Sequence, residues 1–90
     1  GDFLVVDVRE PYEFVEGHAA IAKNIPLSQL RERLSEIPRD KKVYVICRSG
    51  RRSRRALTLL REAGYKKIQP IRGGMLAWQM AQLPIVKDND

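Results

Sequence analysis

The sequence predicts an α/β fold with a central parallel β-sheet and helices on both of its faces. Two apolar runs, residues 3–8 and 43–46, contain only one charged residue between them, which is typical of strands buried on both faces. Segments with the spacing of amphipathic helices lie between and after these runs. Strands that alternate with helices along a chain usually pair in parallel, with the helices packed against the sheet.

The first half of the chain is predicted to contain a strand, a short helix and a longer helix. The strand covers residues 3–8, and a helical turn follows over residues 11–16. Pro11 suits the first turn because a proline there gives up an N–H that would have no partner. Ile25 is expected to carry a brief strand. Apolar residues at helical spacing then predict an amphipathic helix that ends before Pro38; they are Leu27, Leu30, Leu34 and Ile37.

The second half begins with the other apolar run, which we expect to form a central strand. The helix after it is predicted to start near Ser53, whose hydroxyl can cap the first turn, and to end at Gly64. Residues 67–71 are predicted to form an edge strand, because Pro70 cannot donate a hydrogen bond within a sheet. The glycine pair at residues 73–74 is predicted to open a last helix.

The only cysteine, Cys47, directly follows the central strand and begins a small basic loop. No Asp or Glu occurs between Lys41 and Arg61. The loop amides and the start of the next helix should form an anion-binding nest around the sulfur. Such surroundings favour thiolate over thiol, so we expect Cys47 to be ionised and accessible. The five arginines that follow within eight residues are Arg48, Arg51, Arg52, Arg54 and Arg55.

The alternative interpretation of Cys47 is structural, because a free cysteine often packs in the core as a small apolar side chain. The neighbouring arginines favour the functional interpretation. Cations in the first turn of a helix oppose its dipole, and a bound anion would compensate for that cost.

Composition excludes several classes of protein. The 90 residues suit one domain. A single cysteine cannot form an intramolecular disulfide, and with a single histidine there is little basis for a metal site. We expect neither metal nor cofactor. The net charge of +6 could indicate nucleic acid, but no aromatic residue lies among the loop arginines to stack on a base, so a small anion is the favoured ligand. No long apolar run or signal-like start is present, which predicts no membrane partner and a cytoplasmic location.

Several residues outside the loop are expected near it. The carboxyl ends of parallel strands meet at one edge of a sheet, so Asp7, Cys47 and the turn at residues 72–74 should share that edge. We expect Asp7 and Arg9 to form a structural pair that supports the loop. His18 is interpreted as a hydrogen-bonded turn residue rather than a general base.

Five motifs occur in the order and spacing of the rhodanese-like sulfurtransferases, which this chain resembles over nearly its whole length. They are Asp-Val-Arg-Glu at 7–10, Gly-His at 17–18, Asn-Ile-Pro-Leu at 24–27, Cys-Arg-Ser-Gly-Arg-Arg-Ser at 47–53, and Gly-Gly at 73–74 with Trp78.

The resemblance implies a rhodanese-like fold and a sulfurtransferase activity. Cys47 would be the nucleophile that takes a sulfane sulfur from a small anionic donor such as thiosulfate. It would hold the sulfur as a persulfide and pass it to a thiol or protein acceptor. The loop residues that would bind the donor are Arg48, Ser49, Gly50, Arg51, Arg52 and Ser53.

The sequence departs from the family pattern in two places. Residues 19–22 read Ala-Ala-Ile-Ala, where family members commonly have Ile-Pro-Gly-Ala after the Gly-His pair. The chain also begins without the leading strand and helix that such domains usually carry. We therefore expect one domain over residues 1–90 in which an N-terminal edge element is missing or supplied from outside.

Two other functions stay open. Phosphatases and arsenate reductases of the same fold use a Cys-x5-Arg loop, but Ser53 stands six residues after Cys47, as in the shorter sulfurtransferase loop. The second alternative is a sulfur-relay or protein-docking module of a larger protein. An intact cysteine argues against an inert module, whereas a relay needs the same loop.

Overall fold

A computed structural model describes residues 2–88 of the chain. Its helices are α1 (Pro11–Glu16), α2 (Arg51–Glu62) and α3 (Gly74–Met80). Its strands are β1 (Phe3–Asp7), β2 (His18–Ala19), β3 (Ala22–Asn24), β4 (Lys42–Ile46), β5 (Ile68–Pro70) and β6 (Ile85–Val86).

The centre of the fold is a four-stranded sheet in the order β3-β1-β4-β5, in which every pair of neighbours is parallel. The predicted α/β class and the predicted central strand are confirmed. Pro70 lies on β5 at the edge of the sheet, as its missing N–H predicts. A separate antiparallel pair, β2 with β6, was not predicted; it aligns Ala19 with Ile85.

The two faces of the sheet are covered unequally. On one face, Val6 and Val45 pack against α2 and the segment before β4, in a cluster of twelve buried residues. On the other face, Val5 and Ile46 pack with Met75 of α3 in a cluster of only four. Because strand side chains alternate between faces, consecutive residues of β1 and β4 serve both clusters.

Two predictions about the segment between β1 and β4 are wrong in detail. The short strand is β3, which ends one residue before Ile25. The amphipathic helix is instead two 3₁₀ segments, Leu27–Gln29 and Arg31–Glu36. The backbone of Arg33 is non-helical, with a φ of −113° and a ψ of 22°, and interrupts a continuous helix. Just after this segment, the Tyr65 hydroxyl donates a 2.7 Å hydrogen bond to the carbonyl oxygen of Ile37. The predicted apolar positions still face the core, where Leu30 and Ile37 are buried.

The helix ends agree better with the sequence. Pro11 is the first residue of α1, and Gly64 follows the end of α2 with a φ of +96°, a conformation that suits glycine. The atypical residues after His18 form the end of β2, a turn and the start of β3. None of the helices within residues 2–88 is long and apolar enough to cross a membrane.

Candidate active site

The carboxyl edge of the sheet brings together the three places that the sequence predicted. Asp7 ends β1 opposite Ile46 at the end of β4, and Cys47 follows directly. The turn after β5 then starts α3, whose Met75 amide donates a 2.7 Å hydrogen bond to the carbonyl oxygen of Cys47. The predicted edge is therefore confirmed.

The sulfur of Cys47 lies in a cradle of backbone amides. The Gly50 amide donates to Sγ at 2.9 Å, and the Ser53 amide donates at 3.4 Å. The Ser53 hydroxyl oxygen lies 3.6 Å from Sγ and donates a 3.0 Å hydrogen bond to the carbonyl oxygen of Gly50. The predicted nest of loop amides around the sulfur is therefore confirmed for the amides of Gly50 and Ser53.

Opposing effects set the acidity of this thiol. Burial raises the pKa of Cys47, because it disfavours the charged form. The amide and hydroxyl of Ser53 and the amides of Gly50 and Arg52 act in the other direction, and their combined effect prevails. The pKa of Cys47 is consequently lower than its ordinary value, which favours the thiolate.

The predicted role of Ser53 as the helix cap is wrong. Helix α2 begins at Arg51, and its cap residue is Gly50, with a φ of +119° and no side chain to offer. Ser53 is the third residue of the helix. The amide of Ser53 has no partner within the helix and donates a hydrogen bond to Sγ of Cys47. The sulfur therefore lies at the N-terminus of α2, where helices bind anions.

The sequence also predicted an accessible sulfur, and the structure does not confirm this. Cys47 retains only 1% of its surface and contacts the larger core cluster. The physical reason is that the loop folds over the sulfur to aim its amides at it. Residues 48–50, which belong to no helix or strand, therefore cover the sulfur on the side that faces away from the core.

The arginines of the loop differ in their surroundings. Arg48 and Arg51 are exposed, whereas Arg52 forms a two-pronged ion pair with Glu13 of α1, at 2.6 and 2.9 Å. The hydrogen bond from Arg52 is the main reason why the pKa of Glu13 falls to about 2. Sequence reasoning missed this carboxylate, because 39 residues separate the two partners and no local pattern links them.

The predicted pair of Asp7 and Arg9 is confirmed. The guanidinium Nε lies 3.0 and 3.1 Å from the two oxygens of the fully buried carboxylate, and Nη2 lies 2.8 Å from one of them. Arg9 also donates to the carbonyl oxygen of Gly17 and so ties the end of α1 to β1. The predicted hydrogen bond of His18 is present, between Nδ1 and the carbonyl oxygen of Phe14, but the residue begins strand β2 instead of lying in a turn.

The glycine pair positions the start of the cysteine loop. A Cβ on Gly74 would lie 2.3 Å from the carbonyl oxygen of Cys47 and 2.6 Å from that of Arg48, and the residue has a φ of +57°. Only glycine permits this close approach. It lets the first amides of α3 bind both carbonyl oxygens, which leaves the loop amides free to face the sulfur.

The only cysteine of the chain directly follows the central parallel strand, and two amides at the start of the next helix donate hydrogen bonds to its sulfur. The sequence model described as "Rhodanese-like domain" matches residues 1–81. The chain therefore belongs to the rhodanese-like family.

Individual relatives agree with this assignment. A sulfurtransferase of Allochromatium vinosum is 42% identical over 85 residues, which cover 94% of this chain and 79% of that protein. The putative sulfur carrier protein YrkF of Bacillus subtilis is 35% identical over 74 residues, which cover 82% of this chain but only 40% of that protein. The crystal structure of a rhodanese-related protein from Thermoplasma volcanium matches with a TM-score of 0.87 at 41% identity, over 94% of this chain and 84% of that chain.

Sulfurtransferases and a putative sulfur carrier are among the relatives of this chain, and such proteins have a sulfur donor and a sulfur acceptor as partners. The cysteine loop is the part of this chain that suits such chemistry. Within residues 2–88, no group of three or more His, Cys, Asp or Glu side chains could hold a metal ion.

Proposed function

We propose that this chain is a sulfurtransferase in which Cys47 carries a sulfane sulfur as a persulfide, with thiosulfate as a suitable donor. The observation that carries the proposal is the pair of amide hydrogen bonds at Sγ, which lowers the pKa of the thiol. A thiolate is the form of cysteine that attacks sulfur. We propose residues 1–90 as one such domain, in a reducing cytoplasm that keeps its thiol free.

The proposed reaction has two half-reactions. The Cys47 thiolate attacks the outer sulfur of thiosulfate, a new S–S bond forms, and sulfite leaves with the electron pair of the old one. In the second half-reaction, an acceptor thiolate attacks the outer sulfur of the persulfide, and Cys47 leaves as a thiolate. No external oxidant or reductant is needed, and ping-pong kinetics follow.

The loop supplies stabilisation at the sulfur. The amides of Gly50 and Ser53 point at Sγ and are placed to hold the negative charge of the Cys47 thiolate, before it attacks the donor and as it forms again in the second half-reaction. Arg48 and Arg51 are exposed at the same loop, where their charges attract a dianion. We propose Ser49 and Arg52 as further parts of this site, with Arg52 fixed by Glu13.

The burial of Cys47 adds a requirement to the mechanism. A donor reaches Sγ only if residues 48–50 move aside, and this movement breaks the hydrogen bond from the Gly50 amide to Sγ. The proposal therefore includes a loop movement before each transfer.

A sulfur-relay role is the second candidate, because the related YrkF is named as a putative sulfur carrier. A relay would form the same persulfide but would pass it to a partner protein rather than to a small thiol. Turnover with small thiols separates the two roles.

The decisive test is the intact mass of the protein after incubation with thiosulfate. We expect a gain of one sulfur atom, which cyanide removes, and no gain in Cys47→Ser with an unchanged far-ultraviolet circular dichroism spectrum. An unchanged mass in the folded wild-type chain would refute the persulfide from thiosulfate. Phosphate release from an aryl phosphate that depends on Cys47 would instead favour the phosphatase alternative.

A further inference from the structure

A groove of about 600 Å³ runs from the cysteine loop along α2, and the proposed function uses only the end of it that lies at the loop. At the loop it is lined by Gly50 and Ser53, the residues whose amides bind the sulfur. Further along, Pro70 and Ile71 form an apolar side. A groove of this size exceeds what thiosulfate needs and falls in the range that holds elongated small molecules.

The charges of the groove all have one sign. Its walls carry four arginines and, among the described residues, no Asp or Glu. None of these arginines forms an ion pair within residues 2–88, in contrast to Arg9, Arg33 and Arg52. The groove arginines are Arg51, Arg54, Arg61 and Arg72.

The arginines extend well away from the sulfur. Arg51 begins α2 beside the loop, and Arg61 lies ten residues further along the same helix, which is about 15 Å at the helical rise. Arg72 follows β5 at the carboxyl edge of the sheet, near the cysteine loop, and lines the same groove from the other element. A ligand that extends along the groove from the loop therefore passes Arg72 and can place an anionic group against Arg61.

A second depression of about 350 Å³ lies near the loop and includes Arg48, but its charge is mixed. Glu13 and Glu16 line it together with Arg9. Since carboxylates repel an anion and Arg9 is already paired, the four-arginine groove is the better path for a negatively charged ligand.

We propose that this groove, lined by the four arginines, docks an elongated thiol with at least one anionic group remote from its sulfur, and that Arg61 and Arg72 determine the preference for that group. The proposal rests on the proposed function, because it names the class of acceptor that takes the sulfur from Cys47. Neutral thiols of the same length would reach the cysteine loop in the same way but would lack the contact between an anionic group and the arginines of the groove.

The test compares two acceptors that share one thiol arm, pantetheine and pantetheine 4′-phosphate, with wild-type protein loaded from thiosulfate. We expect kcat/KM to be about tenfold higher for the phosphorylated acceptor, as two charged contacts at an exposed site predict. Arg61→Gln combined with Arg72→Gln should abolish this ratio and leave kcat/KM for pantetheine within about twofold. Equal values for the two acceptors on wild-type protein would overturn the proposal.

Lys41→Gln combined with Lys42→Gln is the matched control, because it removes the same number of charges, two, from exposed residues at the start of β4, at the opposite edge of the sheet. This control should keep the tenfold ratio of kcat/KM between the two acceptors. If it lost the ratio as fully as the arginine variant does, the preference would follow net charge, and the proposal would be overturned. Calorimetric binding of the two pantetheines to Cys47→Ser needs no sulfur chemistry. Preferential binding of the phosphorylated form there supports the groove even if thiosulfate fails to load Cys47, whereas equal binding contradicts it.

Discussion

Replacing Gly74 with alanine tests how α3 holds the cysteine loop. The new Cβ would lie 2.3 Å from the carbonyl oxygen of Cys47, so backbone must shift and the hydrogen bonds from Met75 and Leu76 to the loop are lost. A left-handed conformation costs a non-glycine residue about 1–2 kcal/mol. Two hydrogen bonds add about 1 kcal/mol each. We therefore expect Gly74→Ala to lower the free energy of unfolding by about 3–4 kcal/mol.

Gly64→Ala is the matched control for this prediction. Gly64 has a φ of +96°, but a Cβ there meets only the end of the Arg39 side chain, at 3.1 Å. This variant should lose only the backbone contribution of about 1–2 kcal/mol. Urea unfolding followed by the fluorescence of Trp78 measures both values. Equal destabilisation by the two substitutions would show that the close approach of α3 to the loop contributes nothing.

Three further predictions concern single side chains. Ser53→Ala should raise the pKa of Cys47, because it removes a hydroxyl that favours the thiolate. A loss of about 1 kcal/mol of thiolate stabilisation corresponds to about fivefold slower alkylation by iodoacetamide at a pH below that pKa. An unchanged pH midpoint of alkylation would contradict this. Asp7→Asn breaks a buried pair with Arg9 and should cost about 3–5 kcal/mol in urea unfolding; a loss below about 1 kcal/mol would contradict it. The pKa of Glu13 is about 2 instead of 4.5, so its stabilisation is present above pH 4.5 and lost as the pH falls towards 2. Glu13→Gln should remove about 1 kcal/mol of that pH dependence, and identical unfolding profiles would refute it.

Local patterns were sufficient for the elements whose partners lie close in sequence. The start of α1 at Pro11 and the end of α2 before Gly64 follow from backbone restrictions of those residues alone. The central position of β4 follows from its unbroken apolar character. Local patterns failed for residues 27–37, where apolar residues at helical spacing form two 3₁₀ segments. Tyr65, from another part of the chain, donates a hydrogen bond to the carbonyl oxygen of Leu34 in the second segment.

The position of the candidate site could also be predicted, but its internal contacts could not. A lone cysteine after a buried strand, followed by glycine and arginines, indicated an amide nest, and the sulfur does accept two amides. The burial of the sulfur depends on how the loop folds over it, which no spacing of residues expresses. The ion pair of Arg52 with Glu13 likewise depends on where α1 lies relative to α2.

The sequence was sufficient to predict the parallel sheet, the helices α1, α2 and α3 and the place of the cysteine, because these follow from apolar periodicity and from the backbone limits of proline and glycine. Packing between distant segments set which groups meet at the sulfur and which arginines line the groove without an ion pair within residues 2–88. The close fit of Gly74 against the loop and the groove beside α2 exist only because segments distant in the chain pack together. Hydrogen bonds and ion pairs act over a few ångströms, and only the folded chain sets those distances.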